Sequence, residues 1–340
     1  MKLNIPDEIS HFLITKIENI RYLTNFSGEE GFLIYDKQKF ILLVDGRFTT
    51  QAKEEVYKDI EVVGYKPPFV DFIFENYSIE KLGFEDTILF SLYNKLREKF
   101  ELIPLSEVVE KERIVKRENE IKHINEAQKI AEISFLETLK SIKENVTEIE
   151  LNAELEYQMR KRGGEKNAFD FIILFGERGA LPHGKPSNRK LKNGDIIIFD
   201  FGTVVDGYHS DCTRMVTFGK ITEEAEKVIK IVEEAQKIGI DGIREGVGVV
   251  DLDKKVREYI KEKGYGEFFN HSLGHGVGLE IHEKPYLSPR GEGELKTGMV
   301  VTIEPGIYLP GKFGVRIEDL LVVEKDGARD LTRIDKVFKI

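Results

Sequence analysis

Three of the chain's seven histidines, His271, His275 and His282, fall within twelve residues, threaded between Gly274, Gly276 and Gly278. His271 and His275 have the four-residue spacing of a zinc-binding helix. The glycines argue against that helix, because each costs a helix interior about 1 kcal/mol relative to alanine. The segment instead predicts extended backbone with close approaches, in which alternation puts His271 and His275 on one face. A metal-binding histidine here needs partners from elsewhere in the chain. Four carboxylates stand where an apolar strand pattern should not tolerate them. Asp200 ends the run Ile196-Ile-Ile-Phe199, Asp211 lies in His209-Ser-Asp-Cys-Thr-Arg214, Glu304 ends Val300-Val-Thr-Ile303, and Glu318 precedes Asp319-Leu-Leu-Val-Val323. Burying an ionised carboxylate costs several kcal/mol unless it is paired or metal-bound. Singly, each fits a strand end emerging into solvent or a buried ion pair. With a glycine-flanked histidine, four oxygen donors describe a carboxylate-rich site with one imidazole. Such a set suits Mn, Fe, Co or Zn and carries enough negative charge for two divalent ions.

The elements that must position these residues lie in the second part of the chain. Thr147-Glu-Ile-Glu150 reads as a capping box opening a helix that Gly163-Gly164 closes. Strands are predicted over 171–175, 195–201, 208–218, 299–303 and 315–323, with one helix capped by Thr222 and another beginning near Asp251. Strands and helices in blocks imply an α+β domain with a largely antiparallel sheet. Earlier in the chain, between Gly31 and Leu105, short apolar runs alternate with helix-like stretches over 48–57, 69–77 and 92–100, the pattern of a smaller α/β domain. A charged passage then leads into a long amphipathic helix in which Ile121, Ile124, Ala127, Ala131, Phe135 and Leu139 recur at helical spacing. The boundary is placed near Val115, giving domains 1–115 and 116–340.

With 340 residues the chain exceeds the usual single-domain size, so two domains with separate cores are expected. A net charge of -10 speaks against nucleic acid, whose phosphates need a basic surface. A single cysteine, Cys212, excludes an intrachain disulfide and gives no support for secretion. The N-terminal stretch has no apolar signal core, and no segment approaches the roughly 18 apolar residues of a membrane span. The expectation is a cytoplasmic protein without a membrane partner.

Five segments in order, Asp195-Ile-Ile-Ile-Phe-Asp-Phe-Gly202, Ser210-Asp-Cys-Thr-Arg214, Gly274-His-Gly-Val-Gly278, Thr302-Ile-Glu-Pro-Gly306 and Val315-Arg-Ile-Glu-Asp319, resemble the metal-binding segments of the pita-bread metallopeptidases. Within that superfamily, which includes methionine aminopeptidase, prolidase, aminopeptidase P and creatinase, the chain looks most like the Xaa-Pro peptidases. Arg21-Tyr-Leu-Thr-Asn-Phe-Ser-Gly28 and Val44-Asp-Gly-Arg47 extend the likeness to a creatinase-like N-terminal domain. The fold this implies is an α+β pita-bread catalytic domain preceded by a smaller α/β creatinase-like domain.

The resemblance further implies two divalent ions per chain, Mn by preference, with Co, Zn or Fe compatible. Asp200 would chelate the first, Asp211 and Glu318 would bridge the pair, and His275 and Glu304 would complete the second. Glu304 could also steer the proton of the attacking water to the leaving proline nitrogen. His183, His271 and His282 match histidines that orient substrate and stabilise the tetrahedral intermediate. Arg316 would share a strand face with Glu318 and orient that carboxylate, with Tyr308 a further neighbour. His11, His123 and His209 match nothing functional and are expected in solvent, and Cys212 is expected to be a small buried hydrophobe. The implied activity is that of an Xaa-Pro aminopeptidase acting on peptides with proline second. A strict dipeptidase is the alternative, and an inactive peptide-binding module the reading of another class. Some prolidases carry an arginine a few residues after the position of His282. Tyr286 stands there instead, which favours the aminopeptidase. A homodimer is expected from the resemblance alone.

Overall fold

A computed structural model describes residues 2–340, which form two compact units that divide between Arg113 and Ile114. The first unit runs β1 (His11–Ile14), α1 (Ile17–Thr24), β2 (Phe32–Tyr35), β3 (Phe40–Val44), α2 (Thr49–Glu55), β4 (Glu61–Gly64), α3 (Phe69–Asn76), β5 (Lys81–Glu85), α4 (Phe90–Leu96), β6 (Glu101–Leu105) and α5 (Glu110–Arg113). Its six strands make one mixed sheet in the order β4-β3-β2-β1-β5-β6. Leu13, Ile34, Leu43, Ile73, Leu82 and Leu96 are buried together between sheet and helices. The alternation expected from Gly31 onward is present, and β1 and α1 precede it. A four-residue apolar run carries too little periodicity to announce a strand. Buried Glu85 ties the turn between β1 and α1 by accepting from the Thr15 and Lys16 amides at 2.7 and 2.8 Å.

The second unit contains α6 (Glu118–Thr138), α7 (Glu148–Lys161), β7 (Ile172–Phe175), β8 (Ile196–Phe201), β9 (Val204–Val205), β10 (Tyr208–His209), β11 (Cys212–Thr217), α8 (Glu223–Gly242), α9 (Val249–Glu262), β12 (Gly274–Gly276), β13 (Glu283–Leu287), β14 (Val300–Ile303), β15 (Gly306–Leu309), β16 (Phe313–Arg316), β17 (Asp319–Glu324), β18 (Gly327–Asp330) and β19 (Val337–Lys339). One sheet has the order β19-β11-β8-β7, a second β13-β12-β14-β17-β18, and β9-β10 and β15-β16 form short pairs. Only β11 and β19 run parallel among the described strands of this unit. Thr147 and Glu150 close the capping box reciprocally, and the Thr222 hydroxyl accepts from the Ala225 amide. The apolar stripe predicted on α6 is buried from Ile121 to Phe135.

Parity along β8 decides what faces where. Ile197, Phe199 and Phe201 pack with Phe135, Leu151 and Leu155 of α6 and α7. Ile196 and Ile198 face the other way, into the core shared with α8, α9, β14 and β17, and Asp200 has their parity. Two predicted strands are each broken in two. The stretch 208–218 splits at Ser210-Asp211 into β10 and β11, and 315–323 splits at Ile317-Glu318 into β16 and β17, which belong to different sheets. An unbroken apolar pattern does not reveal where a chain leaves one ladder for another. At the second break Glu318 instead pairs with Thr213 of β11, its amide donating to the Thr213 carbonyl at 3.2 Å.

Candidate metal centre

The ends of these strands surround a cavity of about 500 Å³ whose wall includes Asp200, Asp211, Glu304, Glu318, Arg316 and the histidines His183, His271, His275 and His282. Asp200 stands near the end of β8, Asp211 just before β11, His275 in the middle of β12, Glu304 just after β14, and Glu318 between β16 and β17. The glycines beside His275 explain how its strand fits. A Cβ on Gly274 would lie 2.0 Å from the Thr302 carbonyl oxygen, and one on Gly276 would lie 2.4 Å from that of Lys284. Only glycine lets so short a strand lie this close to both neighbours.

Asp211, His275 and Glu318 each offer a ligand atom within 4.8 Å of the others. His275 Nδ1 lies 3.1 Å from the Gly276 carbonyl, which can only accept, so the proton sits on Nδ1 and Nε2 keeps its lone pair. Nε2 is 3.3 Å from Glu304 Oε1 and 3.6 Å from Asp211 Oδ2. The Thr213 hydroxyl donates to Glu318 at 2.8 Å, and that of Thr302 to Glu304 at 3.3 Å. Arg316 Nη2 pairs with Asp200 Oδ2, while Asp200 Oδ1 is buried without a hydrogen-bond partner. A buried carboxylate oxygen left bare, in one cavity wall with an acceptor imidazole and three further carboxylates, belongs to a donor set that fits a hard or borderline cation.

The electrostatics point the same way. Burial, reinforced by Glu318, Asp200 and Glu304, pushes the Asp211 carboxyl well above its ordinary range, and burial followed by Glu304 and Asp200 does the same to Glu318. Glu304 is pushed up to about 8, chiefly by burial. Burial pushes His271 and His275 down to about 3, leaving both neutral. Arg316 is the only buried cationic side chain in the wall, so four ionised carboxylates would face one guanidinium. That excess is what divalent ions neutralise.

Behind the carboxylates runs a chain of hydrogen bonds. Arg316 Nη1 donates to the Tyr308 oxygen at 2.7 Å, the Tyr308 hydroxyl donates to His271 Nε2 at 3.0 Å, and His271 Nδ1 donates to the Ser272 carbonyl at 2.8 Å. His271 lies outside any strand, so alternation with His275 is not what brings both into the cavity. His183 and His282 are exposed at its mouth, and the His282 ring meets that of His275 edge-on at 4.2 Å. Arg316 holds Asp200 rather than Glu318, which it reaches only through Thr213, because β16 ends at Arg316 and the shared strand face does not exist. His209 is also a correction. It is buried, with Nδ1 donating to the Gly278 carbonyl at 3.1 Å, because β10 turns it under the glycine-rich loop. Cys212 is buried among apolar side chains. Thr213 and Thr302 escape sequence reading, although each lies two residues from a carboxylate, a spacing that alternation places on one face.

Residues 122–325 match the model of metallopeptidase family M24, and residues 7–115 match the creatinase/prolidase N-terminal domain. The chain belongs to metallopeptidase family M24, and its second unit has the pita-bread fold. It is 40% identical to the Xaa-Pro dipeptidase of Pyrococcus furiosus over 99% of this chain and 97% of that one. Among solved structures it is similar to an Xaa-Pro dipeptidase from Bacillus anthracis (TM-score 0.95, 40% identity, 98% of this chain and 95% of that one). It is likewise similar to an X-Pro aminopeptidase from Thermotoga maritima (TM-score 0.91, 40% identity, 98% of each chain). Among the described residues no helix is long and apolar enough to cross a membrane.

Proposed function

We propose that this chain is a dinuclear metal-dependent Xaa-Pro aminopeptidase that releases the N-terminal residue from peptides with proline second, with catalysis confined to residues 116–340. The observation that carries this reading is the convergence of Asp200, Asp211, His275, Glu304 and Glu318 from separate segments onto one cavity with a single buried cation. In this reading Asp200, Asp211 and Glu318 would hold one ion and Asp211, Glu318, His275 and Glu304 the other, with Mn first and Co, Zn or Fe compatible. Bound there, divalent ions would acidify water and polarise the scissile carbonyl.

The remaining steps belong to the side chains. Proline nitrogen leaves as a secondary amine and needs a proton, which Glu304 Oε is suited to take from the attacking water and deliver. In this reading His183 and His282 offer ring nitrogens to the substrate and to the charge developing on its carbonyl oxygen, while His271, whose two ring nitrogens are taken by Tyr308 and the Ser272 carbonyl, orients the substrate as part of the cavity wall. Arg316 holds Asp200 and, through Tyr308, His271.

The names of relatives at 40% identity include both a dipeptidase and an aminopeptidase, so identity does not set substrate length. Tyr286 does. It pairs directly opposite His275 across β12 and β13 and lines the cavity, standing where a guanidinium would hold the free carboxylate of an Xaa-Pro dipeptide. A dipeptidase remains the second reading on one observation, the exposed ammonium of Lys185 in the cavity wall, which pairs at 3.2 Å with the equally exposed Asp170. Comparing kcat/KM for Xaa-Pro and Xaa-Pro-Yaa with the same first residue tests the choice. The tripeptide is expected to be preferred; a dipeptide preferred by about tenfold, roughly 1.4 kcal/mol, would reverse it. The reading also takes the protein to be cytoplasmic, in keeping with its single cysteine, and a homodimer on family resemblance; sedimentation in solution checks the dimer.

A further inference from the structure

His271 stands between a short 3-10 turn, Gly266–Phe268, and β12, and no strand holds it. What holds its main chain comes from α9. Asp253 is 1% exposed, and its two oxygens take Arg257 Nη2 and Nε at 2.8 and 3.0 Å. The Arg257 fork then donates through Nη1 to the Phe269 carbonyl at 2.9 Å and through Nη2 to the His271 carbonyl at 2.8 Å. Asp253 Oδ1 accepts from the Leu273 amide at 3.2 Å. The guanidinium also lies 4.2 Å from the centre of the Phe269 ring, whose edge meets the His271 ring at 5.1 Å. An ion pair between residues four apart on a helix is ordinarily a solvated feature of little consequence. This one buries its carboxylate and turns its hydrogen bonds onto residues 269, 271 and 273. A lysine could not do the same, because a point charge cannot serve a carboxylate and two carbonyls in one plane.

We propose that Asp253 and Arg257 are positioning residues for the reaction, a fork that sets His271 in the cavity by fixing the main chain on both sides of it. The inference rests on the role given to His271 under the proposed function. Neither residue lines the cavity, so both act through the loop.

The test is a double-mutant cycle on the metal-loaded full chain, combining Arg257→Met with His271→Ala and reading kcat, KM and metal content with a proline-second peptide. Arg257→Met is expected to lower kcat by about 10- to 100-fold, the range for groups that orient a site from behind, with KM moving less than about threefold and metal retained. In the His271→Ala background the same change is expected to lower kcat by less than about twofold, since the residue it positions is gone. The full factor repeated in that background, an unchanged kcat in the single variant, or loss of metal with activity would each overturn the proposal. If Arg257→Met does not fold, Arg257→Lys carries the same cycle. It keeps the charge beside Asp253 but not both carbonyl contacts, and wild-type kcat in that variant would overturn the fork. Amide hydrogen exchange gives a readout free of activity. Faster exchange confined to residues 269–273 is expected in either variant, and unchanged exchange there contradicts the proposal. Failure of the loaded wild-type protein to cleave any proline-second peptide would instead sink the proposed function, and the exchange result would still judge the fork.

Discussion

Arg316 can neutralise one of the four carboxylates around it, and the others govern how the centre titrates. Glu304 has a folded-state value of about 8 against an ordinary 4.5, and Asp211 and Glu318 are shifted in the same direction. Below pH 6.5 a second group of shifts acts in the opposite sense. His271 and His275, pushed down to about 3, and His209, pushed down to about 4, bind protons in the unfolded chain but not in the folded one. Stability therefore rises with pH through that acid window on their account. Above about pH 7.5, a unit beyond the ordinary histidine value, the histidines are neutral in both states. There the folded metal-free protein still holds carboxyl protons that the unfolded chain has lost, so its stability falls as pH rises. Metal must displace those protons, and its stabilising effect should grow over the same interval. Thermal unfolding at about pH 7.5 and 8.5, with and without Mn, checks this; a metal-free protein more stable at the higher pH would contradict the assignment.

Asp211→Asn belongs to the same scale. The amide leaves one oxygen and no charge between the cations it is proposed to bridge, so kcat/KM should fall by several orders of magnitude in a soluble, folded variant. Retention of more than about a tenth, a loss under roughly 1.4 kcal/mol, would remove Asp211 from the bridging position. This chemistry is legible in the linear chain only in combination: an acidic residue closing a run such as Ile196-Ile-Ile-Phe199 fits a strand end or an ion pair when taken singly, whereas four of them with a glycine-flanked histidine describe a metal site. The partner of each carboxylate is less legible. That Arg316 serves Asp200 depends on where β16 stops, and no local pattern encodes it.

At the scale of elements, the glycines around His275 make the extended backbone readable, and the close packing of β12 shows why they are needed. Gly276→Ala would place a Cβ 2.4 Å from the Lys284 carbonyl oxygen and 2.7 Å from that of Glu283, both rigid main-chain atoms. The strands must part to admit it. Overpacking of this kind costs typically about 1–3 kcal/mol, and moving His275 should weaken metal binding as well. Gly46, where an added Cβ meets nothing within 4 Å, is the matched control. Denaturant unfolding of the two alanine variants, with metal affinity beside it, should separate them clearly. Equal stability and equal affinity would mean that β12 has room to spare. The broken strands mark the limit of sequence reading at this scale. Alternation places side chains on faces correctly within β8 and β11, but the apolar run over 315–323 conceals a change of sheet at Ile317-Glu318. The bend is selected by long-range pairing with Thr213, which local periodicity does not contain.

For the whole molecule, a net charge of -10 looks at first like a statement about the surface. Part of it lies inside, in carboxylates gathered around one cavity, so a composition that speaks against a nucleic-acid partner reveals little of the chemistry. The two-unit organisation is readable because helix–strand alternation before Leu105 gives way to blocks of strands and helices after it, and each pattern builds its own core. The relatives extend over both units, so neither is peculiar to this chain. The account as a whole depends on a paired metal centre that cleaves the bond before proline. The most direct measurement strips the full-length protein of metal, titrates it with Mn, and follows bound ions per chain alongside hydrolysis of an Xaa-Pro-Yaa peptide. The account predicts saturation at two ions per chain with activity appearing as the centre fills. Full activity at a single ion would contradict the paired centre, and fewer than one ion per chain with no hydrolysis would contradict the enzyme itself.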